Sequence, residues 1–260
     1  MPSAIINVMD RAARKAGRAL IRDFGEVEQL QVSKKGAADF VSAADLKAER
    51  TLREELTRAR PEFSFLGEEG GITGAARDRW VVDPLDGTTN FLHGIPHFAI
   101  SIGLEISGKI VAGAIFEPIR DDFYWAERGV GSYLGNRRLR VSARNKLTEA
   151  VFVTGIPHLG KDRHKRFLTG LASVMGKVAG VRRFGSAALD MAYVAAGRFD
   201  GYWEFGLNPW DLAAGELLVR EAGGFVTDIA GGDTHLEGGG IVAANPVLHS
   251  ELIAILEESM

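Results

Sequence analysis

The feature that constrains this chain most is the stretch from Trp80 to Phe91, with the sequence Trp-Val-Val-Asp-Pro-Leu-Asp-Gly-Thr-Thr-Asn-Phe. Its apolar start is typical of the end of a buried strand. Since Pro84 cannot donate a hydrogen bond to a sheet, this strand is predicted to end at Asp83. Gly87 then allows a sharp turn, and a helix can begin at Thr88. The stretch therefore predicts a strand-to-helix turn that carries two carboxylates.

Such a turn has the chemistry of a cation site and of an anion site. Carboxylates bind hard cations such as Mg²⁺ through oxygen, and free backbone N–H groups at the start of a helix bind phosphate. A structural interpretation is also open, in which Asp86 only caps the helix and Asp83 only ends a strand at the surface. The spacing of the two acids does not decide between these alternatives.

The full string of residues 83–91 closely resembles the signature of the inositol monophosphatase family of Mg²⁺-dependent phosphatases. Further blocks follow the order of that family, and they lie at residues 39–45, 67–70 and 204–211. The resemblance spans essentially the whole chain. It implies an α/β fold of the sugar-phosphatase type, a five-layer α-β-α-β-α sandwich with mixed and antiparallel sheets. It also implies a single domain over residues 1–260, with two intimate halves at roughly 1–145 and 146–260.

Helical and strand-like patterns alternate along the chain, which is consistent with a layered α/β architecture. Helices are predicted over residues 5–21, 39–58, 161–175 and 185–196, and from Asn208 and Asn245 onward. Strands are predicted over residues 63–66, 98–106, 110–116, 123–126, 139–141, 151–154, 181–184, 200–205, 224–227 and 241–243. The basic residues of the helix at 161–175 fit a solvated face better than an anion site.

The resemblance implies a metal centre of two to three Mg²⁺ ions built from acids that lie far apart in the sequence. One ion is expected on Glu68, Asp83 and the Leu85 carbonyl, and a second on Asp83, Asp86 and Asp211. Each acid also has a structural explanation, since Glu68 lies in a polar loop and Asp211 suits the first turn of a helix. Carboxylates clustered in this way would repel one another without a cation.

The resemblance also implies how the remaining site residues act. Asp45 and Thr88 are expected to orient the attacking water, although the spacing of Asp45 from Ser42 equally fits a helix-capping box. The backbone N–H groups of Gly87 and Thr88 are expected to hold the phosphate. Substrate contacts are expected from Ala187, Glu204 and Asp211. Direct attack by water excludes a phospho-enzyme, and inhibition by Li⁺ is a common trait of the family.

The function predicted in this way is Mg²⁺-dependent hydrolysis of a small phosphorylated polyol or sugar, with myo-inositol 1-phosphate as the expected substrate. Two alternatives stay open: another small ester such as fructose 1,6-bisphosphate, or a non-catalytic scaffold that binds a regulatory partner. A formal charge of −3 argues against general binding of nucleic acids or membrane surfaces, and the absence of cysteine excludes thiol catalysis. A cytoplasmic protein is expected, without a signal peptide or a membrane span. The resemblance implies that it is a homodimer.

Overall fold

Helices and strands alternate along most of the chain in the structure, a computed structural model that describes residues 2–26, 32–35, 39–157 and 164–258. The helices are α1 (Ala4–Phe24), α2 (Ala43–Ala59), α3 (Thr88–Leu92), α4 (His164–Met175), α5 (Ala187–Ala195), α6 (Pro209–Glu221) and α7 (Pro246–Glu258). The strands are β1 (Val32–Lys35), β2 (Asp39–Ser42), β3 (Ser64–Gly67), β4 (Gly71–Thr73), β5 (Arg79–Asp86), β6 (Ala99–Ile106), β7 (Lys109–Glu117), β8 (Asp122–Glu127), β9 (Gly131–Leu134), β10 (Arg137–Arg138), β11 (Val151–Thr154), β12 (Gly180–Arg182), β13 (Gly201–Phe205), β14 (Phe225–Thr227) and β15 (Gly240–Ala244).

Two large sheets form within these ranges. The larger has the strand order β10-β9-β8-β7-β6-β5-β3-β4 and is antiparallel except where β3 runs parallel to β5. The smaller has the order β12-β11-β13-β15-β14, with β11 parallel to both of its neighbours. The prediction of mixed and antiparallel sheets is therefore confirmed. A separate hairpin pairs β1 with β2.

Apolar side chains stack these elements into five layers. One cluster packs α1 and α2 on the outer face of the larger sheet, and it includes Leu20, Leu52 and Trp80. A second cluster places α5 and α6 between the two sheets. A third packs α4 and α7 on the outer face of the smaller sheet, around Trp203. This order of layers is α-β-α-β-α and confirms the predicted fold class.

The central helix α6 can approach the larger sheet closely because two strand residues opposite it lack side chains. A Cβ atom on Gly113 of β7 would lie 3.0 Å from the Ala214 Cα and carbonyl oxygen. A Cβ atom on Gly103 of β6 would lie 2.9 Å from the Ala213 side chain. These two glycines leave room for α6 to pack closely against the sheet. The first turn of α6 carries Asp211.

Two expected boundaries near the motif are wrong. Strand β5 does not end at Asp83 but runs to Asp86, with a register shift between these two residues. Pro84 lies inside this bulge, where no ladder hydrogen bond is required of it. Helix α2 begins at Ala43, because residues 39–42 pair with β1 as a strand. Phe40 and Val41 are residue types that favour strands.

The end of the meander also differs from the prediction. Residues 139–141 are not a strand, and the last strands of the larger sheet are β9 and β10. Leu139 still donates to the Ser132 carbonyl at 2.7 Å, but Val141 donates to Ala222 at the end of α6. The chain therefore leaves the sheet at this point. In the basic helix, Lys161 and Arg163 lie outside the described residues.

The sheets fall on either side of residue 145, because the larger contains residues 64–138 and the smaller residues 151–244. Both pack on the shared layer of α5 and α6. The division into two intimate halves stays a prediction. In the described part of the chain, no helix is both long and apolar enough to cross a lipid bilayer.

Gly113→Val is expected to lower the free energy of unfolding by about 1–3 kcal/mol, the usual cost of overpacking a tight interior. The added side chain would press on the backbone of α6 at Ala214. Urea denaturation measures this loss. Gly176→Val is the control, since its nearest neighbour would lie 3.7 Å from the new Cβ. An equal loss in both variants would contradict the close approach of α6.

Candidate active site

The bulge of β5 places Asp83 in the interior. Its side chain is only 2% exposed, and its Oδ1 accepts a hydrogen bond from the Leu85 N–H at 2.9 Å. Burial raises the pKa of this carboxyl well above its usual range, and the nearby charges of Glu68, Asp86 and Asp211 raise it further. The structure thus excludes the interpretation in which Asp83 ends a strand at the surface.

Asp86 connects the motif to a distant helix. Its Oδ2 accepts hydrogen bonds from the Ser186 hydroxyl at 2.5 Å and the Ala188 N–H at 2.7 Å, and its Oδ1 accepts from the Ala187 N–H at 3.3 Å. The interpretation that Asp86 caps the helix after it is therefore wrong, because its carboxylate accepts hydrogen bonds from the first N–H groups of α5, and α3 has no side-chain cap. Burial raises the pKa of Asp86 to about 6 in spite of the hydrogen bonds from Ser186, Ala188 and Ala187.

The turn after Asp86 forms as the sequence predicts. Gly87 has φ +96°, a conformation that favours glycine, and α3 begins at the next residue. A Cβ atom on Gly87 would lie 3.1 Å from the His97 carbonyl oxygen and 3.3 Å from that of Gly185. The Thr88 hydroxyl donates to the Leu85 carbonyl at 3.0 Å. The Thr88 side chain therefore stabilises the turn through a hydrogen bond to the backbone.

Asp211 and Glu68 reach the same place from other parts of the chain. Asp211 lies in the first turn of α6, where its Oδ2 accepts from the Asn208 N–H at 2.7 Å. Burial raises the pKa of Asp211 well above its usual range, and Asp86, Glu68 and Glu204 add to the effect against the hydrogen bond from Asn208. Glu68 lies in the turn between β3 and β4. Asp211 therefore caps α6 and also lies close to the other acids.

The four acids Glu68, Asp83, Asp86 and Asp211, called the acid cluster below, interact electrostatically. Among the described residues, no three His, Cys, Asp or Glu side chains already stand in a metal-ligating group. The carboxylates are close enough to disfavour one another's charge without being drawn together as ligands. Their donor atoms are all oxygen, which fits a hard cation such as Mg²⁺ better than zinc.

A polar pocket opens beside the acid cluster. Six of the predicted site residues line it: Asp86, Gly87, Thr88, Ala187, Glu204 and Asp211. Asp45 is not among the residues that line it; this side chain is buried in the first turn of α2, which packs on β5. The role of Asp45 therefore stays a prediction.

Sequence reasoning missed several residues of this pocket. Arg183 is the cationic side chain among the described residues that line it. Asn90 donates from Nδ2 to the carbonyls of His97 and Phe184, both at 2.8 Å, and so ties α3 to the segment before α5. Asn90 belongs to the quoted motif, but nothing in its spacing signals this long-range contact. Ile156 also lines the pocket, whereas His158 lies outside the described residues.

Glu204 forms part of the wall of the pocket. Its Oε2 accepts a hydrogen bond from the Tyr202 hydroxyl at 2.7 Å. A Cβ atom on Gly155 would lie within 2.0 Å of the Glu204 carboxylate, so only glycine leaves room for it. Burial raises the pKa of Glu204 to about 7 against the Tyr202 hydrogen bond, with a further increase from Asp86 and an opposing effect of Arg183. Asp190, also buried, has its pKa raised by burial and by Glu204.

The chain is similar to known proteins over nearly its whole length. The Inositol monophosphatase family matches residues 1–260. The chain is 59% identical to an inositol-1-monophosphatase of Rhizobium meliloti over 98% of its length and 97% of that protein. A crystal structure of extragenic suppressor protein suhB from Bartonella henselae superposes with a TM-score of 0.96 at 56% identity, covering 99% of this chain and 100% of the other. A Pseudomonas aeruginosa protein named Nus factor SuhB is 44% identical over 97% of this chain and 96% of its own length.

The fold and these matches define a phosphatase enzyme. The chain belongs to the inositol monophosphatase family, whose members are generally metal-dependent.

Glu204→Gln is expected to change how stability depends on pH in metal-free protein. The pKa of Glu204 rises from 4.5 to about 7 on folding. Because the folded state retains a proton that the unfolded chain releases, the wild type loses stability as pH rises through this window. Between pH 4.5 and about 7, the free energy of unfolding of the variant should therefore rise by about 2 kcal/mol relative to that of the wild type. This figure allows for the partial exposure of Glu204.

Unfolding midpoints measured across that pH window in the presence of EDTA test this expectation. Glu62→Gln is the control, since this acid is exposed and its side chain is 57% accessible. A difference between wild type and Glu204→Gln that stays constant with pH would contradict the burial of the Glu204 charge.

Proposed function

We propose that this chain hydrolyses a phosphate monoester with Mg²⁺ as cofactor, and that myo-inositol 1-phosphate is its substrate. The observation that carries the proposal is the acid cluster beside a pocket that contains the start of α3. Glu68, Asp83, Asp86, Asp211 and the Leu85 carbonyl would hold two to three ions. When bound, Mg²⁺ would neutralise the phosphate charge and make water more acidic.

The turn between β5 and α3 would bind and align the phosphate. Gly87 and Thr88 line the pocket at the start of α3, where backbone N–H groups have no partner within the helix. These N–H groups would donate to phosphate oxygens. Because Gly87 has no side chain, the phosphate can approach the backbone closely at this position.

Thr88 would orient the attacking water. Its hydroxyl hydrogen already points to the Leu85 carbonyl, which leaves its oxygen to accept a hydrogen bond. A water donating to this oxygen would turn a lone pair away from Thr88 and toward the phosphate. Asp45 is proposed to help orient this water from α2. Because water would attack the phosphorus atom directly, no phospho-enzyme would form.

The wall at Glu204 would select the alcohol part of the substrate. Tyr202 fixes one carboxylate oxygen of Glu204, and the other is left to accept hydrogen bonds from hydroxyl groups. Ala187 leaves space on the same side, and Asp211 can also accept from a hydroxyl. A ring with several hydroxyl groups suits this wall. The same surface also admits fructose 1,6-bisphosphate or another small phosphomonoester, which is the alternative substrate.

The family resemblance adds further parts to the proposal. They are assembly as a homodimer, inhibition by Li⁺ and a cytoplasmic location. Each rests on the resemblance alone.

A second candidate function is a non-catalytic scaffold that binds a regulatory partner. It is favoured by the name of the Pseudomonas aeruginosa relative, Nus factor SuhB. The presence of Asp45, Thr88 and every acid of the cluster favours the enzyme. Binding of a regulatory partner can also coexist with catalysis in one chain.

Phosphate release in the presence of Mg²⁺ tests the proposal. The substrates are inositol 1-phosphate, fructose 1,6-bisphosphate, histidinol phosphate and 3′-phosphoadenosine 5′-phosphate. Inositol 1-phosphate should be the fastest. Asp83→Asn should lower kcat/KM by about 1000-fold, because several kcal/mol of stabilisation by the cations depend on this carboxylate.

The control is Asp200→Asn, another buried aspartate, whose carboxylate accepts from the Val151 N–H at 2.7 Å and pairs with Arg144 away from the pocket. This variant should retain activity once circular dichroism shows that it is folded. Preference for a different ester would overturn the substrate and keep the reaction. Absence of turnover of all four esters would overturn the enzyme proposal and favour the scaffold.

A further inference from the structure

The turn that carries Glu68 is held from behind by another acid. Glu49 lies on α2 and is 3% exposed. Its Oε2 accepts a hydrogen bond from the Glu69 N–H at 2.7 Å, and its Oε1 accepts from the Gly70 N–H at 3.0 Å. Both donors directly follow Glu68 in the chain. A single carboxylate therefore fixes the backbone on which Glu68 depends.

The glycines around Glu68 make this contact possible. A Cβ atom on Gly67 would lie 2.4 Å from Glu49 Oε2. A Cβ atom on Gly70 would lie 2.1 Å from the Arg53 guanidinium and 2.8 Å from Glu49 Oε1. These distances are too short for real atoms. The Gly-Glu-Glu-Gly sequence is thus explained by the room that Glu49 and Arg53 require, which loop polarity alone does not explain.

The Glu49 carboxylate is itself held in place by Arg53. Its guanidinium pairs with Glu49 Oε1 at 2.5 Å, one helical turn along α2. The same guanidinium lies 5.1 Å from the centre of the Phe65 ring on β3. Phe65 is completely buried, so this end of the arrangement is anchored in the core. The Glu49 carboxylate is therefore held by Arg53, and Arg53 is held in turn by its contact with Phe65 on β3.

We infer that Glu49 is a positioning residue that sets the location of Glu68 and thereby the affinity of the site for Mg²⁺. This inference rests on the proposed function, because it assumes that Glu68 binds a cation. Glu49 acts through the backbone and touches neither cation nor substrate. A carboxylate suits this task, since it accepts several hydrogen bonds at once and gains strength from its charge. Gln has only one acceptor oxygen, and its NH₂ group would face N–H donors.

The test compares Glu49→Gln with Glu55→Gln. Glu55 lies on the same helix, is 4% exposed, and pairs with Lys15 and Arg58 away from the Glu68 turn. Calorimetric titration of metal-free protein with Mg²⁺ gives the Kd, and thermal unfolding gives the stability. Glu49→Gln should raise the Kd by about 10- to 100-fold, as for residues that orient metal ligands, while Glu55→Gln should leave it within about 2-fold.

Gly67→Ala approaches the same contact from the opposite side. It should also raise the Kd, since the new methyl group displaces the Glu49 carboxylate without changing any charge. It serves as the deciding variant if Glu49→Gln does not fold.

Distinct results overturn distinct claims. Unchanged Mg²⁺ affinity in folded Glu49→Gln, or an equal rise in the Glu55 variant, would overturn the role of Glu49 and leave the proposed function intact. Wild-type protein that binds no Mg²⁺ would overturn both.

Discussion

The carboxylates of the acid cluster repel one another in the absence of a cation. Asp83 is buried and Asp211 is half-buried at the pocket, and burial together with the neighbouring acids raises the pKa of each carboxyl well above its usual range. Such groups either retain protons or require a positive partner. In this structure, backbone N–H groups donate hydrogen bonds to Asp83, Asp86 and Asp211 and so supply partial positive charge to them.

Two helix N-termini supply part of that charge. Asp86 accepts hydrogen bonds at the start of α5, and Asp211 lies in the first turn of α6. The N-terminal end of a helix carries partial positive charge and unpaired N–H groups, and both favour a carboxylate. Because α5 and α6 form the layer between the two sheets, the arrangement that joins the sheets also directs these helix ends at the acid cluster. Packing and charge are therefore satisfied by the same pair of helices.

The family resemblance implied the layered fold, which the structure confirms, and the four acids, which the structure brings close enough to interact electrostatically. A glycine at positive φ followed by a helix is a local property, so the turn at Gly87 could be predicted from the residues around it. The bulge of β5 was missed because Pro84 suggested the end of a strand, whereas its register is set by pairing with β6. A local sequence pattern contains no information on that pairing.

The residues that support the acids were also missed, for a related reason. Glu49 resembles any acid on an amphipathic helix, and only the tertiary fold brings it to the Glu69 and Gly70 N–H groups. Arg183 and Asn90 are polar residues near turns, and their place at the pocket depends on segments close to one hundred residues apart. Contacts across such distances follow from how the layers stack and not from spacing along the chain.

In the proposed function, a bound cation replaces protons in the acid cluster and relieves the repulsion between its carboxylates. The most direct measurement is the unfolding midpoint of wild type and Asp83→Asn at about pH 8, with EDTA and then with Mg²⁺. Asn keeps an oxygen to accept the Leu85 N–H but removes one buried charge. We expect the order of stability to reverse: the variant is the more stable protein in EDTA, and the wild type is the more stable protein in Mg²⁺. The same order of stability in both conditions would contradict it.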